Sequence, residues 1–123
     1  MAINIDQLTS VLQNFVSSTN DVQGAALVTP DGLPLASTFP DGMDEERVSA
    51  MSAAILSLAE RIGNELARGD IERIYVEGNK GYAILTGCGE DAVFLVLANA
   101  SAKQGLLMLE IKRALAELKP ILM

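Results

Sequence analysis

Residues 24–38 read Gly24-Ala-Ala-Leu-Val-Thr-Pro-Asp-Gly-Leu-Pro-Leu-Ala-Ser-Thr38, and this stretch decides the fold. Two short apolar runs, 24–29 and 33–38, flank Pro30, Asp31 and Gly32. Asp-Gly between apolar runs is a hairpin signal, because glycine supplies the positive φ that a tight reversal needs. Pro34 has no N–H to give to a ladder. The second strand therefore lies at a sheet edge, or is paired on one side only at that point.

Upstream, residues 4–19 carry Ile5, Leu8, Val11, Leu12 and Phe15 at helical spacing, with Asn4 and Gln7 placed as a capping box. Downstream, Pro40-Asp41-Gly42 breaks the chain before a long helix over 44–68. Asp44 caps it, Glu45 and Glu46 suit the positive end of its dipole, and Gly69 suits the left-handed position after Arg68. Strands over 71–77 and 82–86 flank a second hairpin loop, Gly78-Asn79-Lys80-Gly81. Residues 92–98 are apolar throughout, as a central strand buried on both faces requires. A last helix covers 102–119, with Leu107, Ile111, Ala114, Leu115 and Leu118 facing inward, and Pro120 is expected to stop it. The order is α-β-β-α-β-β-β-α. It predicts a largely antiparallel five-stranded sheet in a three-layer α/β/α sandwich, one domain over 1–123.

Composition narrows the function. Sixteen acidic against nine basic residues give a net charge of −7, unsuited to nucleic acid or to an anionic membrane surface. The absence of histidine removes Ser-His-Asp and Cys-His catalysis and the commonest transition-metal ligand. A single cysteine, Cys88, builds neither an intramolecular disulfide nor a Cys/His zinc site. It has no adjacent base to activate it and reads as a loop or partly buried thiol. Gly87-Cys88-Gly89 lacks the Lys-Ser/Thr ending of a phosphate loop and the third glycine of a dinucleotide fingerprint, and it runs into a strand instead of a helix. No cofactor is expected. The N-terminus lacks the basic-then-apolar pattern of a secretory signal, and no apolar run is long enough to span a bilayer. The expected compartment is the cytoplasm, and the expected role is binding without catalysis.

The helix at 44–68 divides into three stripes at 100° per residue. Val48, Met51, Ile55, Leu58, Ile62 and Leu66 form the expected core face. Ser49, Ala53, Leu56, Glu60, Gly63 and Ala67 form a mostly small stripe. An interior helical glycine costs about 1 kcal/mol relative to alanine, so Gly63 needs a reason. Close approach of a second helix, from another copy in a symmetric pair, supplies one. Arg47, Arg61 and Arg68 form a third, basic row that either steers an acidic partner surface or pairs locally, as Arg61 with Glu65.

In combination these segments resemble the roadblock (dynein light chain) family. Residues 24–37 resemble its opening hairpin, Ser49–Gly63 its alanine-rich central helix, and Ile74–Gly78 with Gly81–Leu85 its next hairpin. The resemblance covers roughly 5–119. It implies a profilin-like fold and dimers that join sheets edge to edge through the strand at 71–77 and pair the central helices. It places Ser49, Ala53, Leu56, Glu60, Gly63, Arg73 and Tyr75 at the dimer or partner interface, with Arg47 and Arg61 alongside as partner contacts. Bacterial members of the family regulate a Ras-like small GTPase, one dimer engaging one GTPase and ordering the GTPase's own residues. The resemblance therefore implies a homodimer that binds a Ras-like small GTPase. The alternatives are a scaffold subunit of a larger heteromeric complex and a small-molecule sensor on the same fold.

Overall fold

The computed structural model describes residues 3–122 in the expected order: α1 (Ile5–Ser18), β1 (Val22–Val28), β2 (Pro34–Thr38), α2 (Glu45–Glu65), β3 (Arg73–Gly78), β4 (Gly81–Gly87), β5 (Val93–Asn99) and α3 (Gln104–Leu122). All pairings are antiparallel and the five strands run β2-β1-β5-β4-β3 across one sheet. The Asp31-Gly32 turn joins β1 to β2, with Gly32 at φ +97°, and the strand that begins at Pro34 is an edge. β5, the most apolar strand, is central.

The sheet separates two cores. On one face α1 and α3 pack side by side, and Leu8, Leu12, Phe15, Ile111 and Leu118 meet Leu27, Ile84, Phe94 and Val96. Phe15 and Phe94 meet in a tilted pair with ring centroids 5.5 Å apart. Asn4 Oδ1 accepts from the Gln7 N–H at 3.0 Å, so the Asn4 half of the expected capping box forms. Ile5, the first residue of the helix, leaves the expected stripe and is exposed. On the other face α2 lies alone over a smaller core of Ala26, Val28, Leu85, Val93 and Leu95.

Two helix ends differ from expectation. α2 stops at Glu65, three residues early. Ala67 takes the left-handed conformation at φ +54°, and the N–H groups of Ala67 and Arg68 bond back to the carbonyls of Asn64 and Gly63. α3 runs through Pro120 to Leu122. A proline in a last turn forfeits one backbone bond but does not stop the φ that the helix needs.

Candidate protein-interaction surface

Asp44 Oδ1 accepts from the N–H groups of Glu46 and Arg47 at 3.1 and 3.2 Å, which fixes the start of α2. From there the helix is rotated from its expected orientation. Ser49 is 1% exposed, and Ser52 and Gly63 are buried with it. The two hydroxyls donate to the carbonyls of Glu45 and Val48 at 2.8 and 2.9 Å, so they enter the core without stranding a polar atom. The hairpin turn also reaches this face, and a Cβ on Gly32 would stand 3.5 Å from Ala53 Cβ. Ser49 and Gly63 of the small stripe are thus covered by the chain itself, and Ala53 meets the hairpin turn.

This corrects two expectations. Ser49 and Gly63 are not available to a partner. Gly63 is glycine because the chain folds back over it: a Cβ there would lie 2.5 Å from the Gly69 carbonyl oxygen and 3.0 Å from Ile71 Cδ1. The expected core face is also corrected. Met51, Leu58, Ile62 and Leu66 are 56%, 57%, 49% and 62% exposed, while only Val48 and Ile55 of that row pack against the core. By helical geometry the exposed row lies about 95° around α2 from the buried Ser52 and Gly63. It forms an apolar flank of the helix that the described residues leave largely exposed. The sequence signal for this surface was present in the spacing, but spacing does not say which apolar face a sheet takes.

The remaining expected residues are placed as follows. Ala53 and Leu56 are half-buried, and Glu60 is exposed. Leu56, Glu60 and Arg73 border an open cleft of about 340 Å³ between the C-terminal half of α2, β3 and the 87–93 loop. Arg47 and Arg61 are exposed, and Arg61 pairs with Glu65 at 3.5 Å. That pair is solvated and contributes at most about 1 kcal/mol. Cys88 is fully buried, and burial pushes its thiol up to about 11.

β3 is the other open feature. Among the described residues it has β4 on one side and no strand on the other. Tyr75 opposite Ile84, and Val76 opposite Ala83, are both exposed. Val76 shares its face of the sheet with Ile74 and α2, and Arg73 and Tyr75 share the opposite face. An unpaired edge bearing exposed apolar side chains is a template for a further strand.

Among the described residues no group of three or more His, Cys, Asp or Glu side chains is arranged to hold a metal ion, and no helix is long and apolar enough to cross a membrane.

An antiparallel sheet of this strand order between one helix and two is the profilin-like class of α/β fold, here with an apolar helix flank and an open edge strand. Within that class the chain belongs to the Roadblock/LC7 domain family, whose model matches residues 8–98. Two uncharacterized proteins of Methanocaldococcus jannaschii are each 34% identical to it over 104 residues, 85% of this chain and 90% of theirs. Among solved structures it is similar to Myxococcus xanthus MglB, with a TM-score of 0.90 at 20% identity over 99% of this chain and 92% of that one. A Roadblock/LC7 domain from Streptomyces avermitilis superposes with a TM-score of 0.86 at 21% identity over 93% and 96% of the two chains. Profilin II of Acanthamoeba castellanii follows at 0.68 and 15% over 92% and 97%.

Proposed function

We propose that the chain is a homodimeric interaction module that binds a Ras-like small GTPase of the same cell and does no chemistry of its own. The observation that carries the dimer is one chain with two unsatisfied surfaces: the apolar flank of α2 and the unpaired edge of β3. A two-fold axis beside β3 completes both. The edges pair antiparallel into a ten-stranded sheet, and the flanks of the two α2 helices meet through Leu58, Ile62 and Leu66. Such an isologous contact is self-complementary by construction. Tyr75 and Arg73 then lie at the seam on the far face of the sheet.

The GTPase reading rests on family membership together with this surface. Paired α2 helices present Met51 and exposed Arg47 and Arg61 on one continuous face. The module acts by holding the GTPase's own residues in place, so no side chain of this chain enters the nucleotide site. Self-association is also in keeping with one similar structure, an MglB with a tetrameric arrangement. A pull-down with recombinant small GTPases from the same genome, loaded with GDP or GTP, tests the reading. Retention that is lost with an α2 variant supports it, and no retention in either nucleotide state rejects it.

A further inference from the structure

A second uncovered surface lies across the sheet from α2, on α3. Its buried row is Leu107, Ile111, Ala114 and Leu118. At 100° per residue Leu109 stands diametrically opposite that row, and Lys112, Ala116, Arg113 and Leu106 fall within the same outward arc of roughly 120°. Leu106 and Leu109 are 60% and 59% exposed. Of the carboxylates of α3, Glu117 lines a crevice toward α1 with Val11, Phe15 and Arg113, and Glu110 lines both that crevice and the cleft beside Leu106.

Charge sets this face apart from the rest of the molecule. Four of the nine basic residues, Lys103, Lys112, Arg113 and Lys119, lie on α3 or just before it, against two of the sixteen acidic ones. Arg113 is tied to Glu110 at 3.3 Å, but among the described residues Lys103 and Lys112 have no carboxylate partner within 4.0 Å. Charges farther off than about 8 Å are largely screened at physiological salt, so an arriving group meets this patch and not the net charge of −7. Leu106 also borders a cleft of about 510 Å³ between the C-terminal end of α1 and the start of α3, edged by Lys103 and Arg113 and also by Asp21 and Glu110. Two bared leucines, flanking cations and an adjoining cleft together make a docking face.

We infer that this face of α3 docks an acidic, leucine-bearing helical segment of a partner protein, independently of the α2–β3 surface. The partner's leucines cover Leu106 and Leu109 and enter the cleft beside α1, and its carboxylates meet Lys103, Lys112 and Arg113. The two surfaces lie on opposite faces of the sheet, so the chain holds two partners at once.

The test uses a fluorescein-labelled 14-residue peptide, two repeats of Leu-Glu-Glu-Leu-Leu-Glu-Glu, and a control with lysine for every glutamate. Binding is read by anisotropy, and by backbone amide shifts on the full chain. Expected is saturable binding of the acidic peptide, with shifts at 103–113, weakened at least tenfold by the Leu106→Ser/Leu109→Ser pair. The Lys112→Glu/Arg113→Glu pair weakens it as much, and so does raising salt from 50 to 300 mM. All four substitutions are at exposed positions, and an unchanged circular dichroism spectrum checks the fold of each variant. No saturable binding, equal binding of the lysine control, or shifts confined to α2 and β3 overturns the proposal. Co-sedimentation with phosphatidylcholine vesicles holding 30% phosphatidylserine, lost in the leucine variant, would make a lipid surface the occupant and also overturn it. So would a change of oligomeric state in that variant, which makes the occupant a second copy.

Discussion

Replacing Leu58 by glutamate separates the dimer from the fold. Leu58 is 57% exposed on the flank of α2 and is absent from both cores. Leucine and glutamate have nearly equal helix propensity, so the monomer loses almost nothing. Complete burial of a leucine is worth about 1.5–3 kcal/mol, and slightly more than half of that remains to be gained on pairing, about 1–1.5 kcal/mol. A two-fold interface counts the change twice, so about 2–3 kcal/mol is lost before any cost of facing two carboxylates across the axis. At about 1.4 kcal/mol per tenfold, dimerisation weakens by roughly 30- to 100-fold or more. Sedimentation velocity over a concentration series reads the monomer–dimer constant, and urea unfolding at a concentration where both proteins are monomeric reads the fold. The expected result is a weakened dimer with monomer stability within about 0.5 kcal/mol of the parent. An unchanged dimer constant refutes the placement of the interface, and a destabilised monomer refutes the claim that this flank is outside the core.

Other consequences follow from single contacts. Gly63→Ala drives a methyl into the Gly69 carbonyl and Ile71, an overpacking cost of about 1–3 kcal/mol against about 1 kcal/mol of helix propensity gained. A net loss of up to about 2 kcal/mol is expected in urea unfolding, and a gain would show that the fold-back is loose. Ala67→Gly relieves a left-handed alanine at φ +54°, worth about 1–2 kcal/mol, against about 0.5–1 kcal/mol of added chain entropy. The melting temperature should rise while the dimer constant stays fixed. Cys88 should resist alkylation at neutral pH in the folded chain and react at once in urea, since its thiol is buried and its folded pKa is about 11 against an ordinary 9.0. The sign for stability follows from the raised value: between about pH 9 and 11 the unfolded chain has released the thiol proton that the folded chain retains. The parent therefore loses stability with rising pH relative to Cys88→Ala, and parallel curves would contradict the burial.

Much of this architecture was legible because local chemistry states it. Asp31-Gly32 with Pro34 gives both the hairpin and the edge, and the unbroken apolar run of β5 gives the centre of the sheet. The orientation of α2 was not legible. Its larger apolar row has the spacing of a core face, yet the residues of α2 that are fully buried are Ser49, Ser52 and Gly63. Small residues win there because the hairpin turn at Gly32 and the fold-back at Gly69 come close on that side. Serine is tolerated because its hydroxyl returns to its own helix. Periodicity reports that a face wants burial and is silent on whether the chain or a second copy supplies it. The same gap explains Gly63, whose close approach was foreseen but assigned to another molecule. The end of α2 was misplaced because its chain reversal uses alanine at the left-handed position two residues before the glycine that marks such ends.

The most direct test of the dimeric GTPase-binding reading is the mass of the complex itself. Light scattering on the eluting peak, with each small GTPase of the same genome in GDP and GTP forms, should give two 13.0 kDa protomers with one GTPase in at least one nucleotide state. A single protomer in the complex, or separate elution of every GTPase in both states, contradicts it.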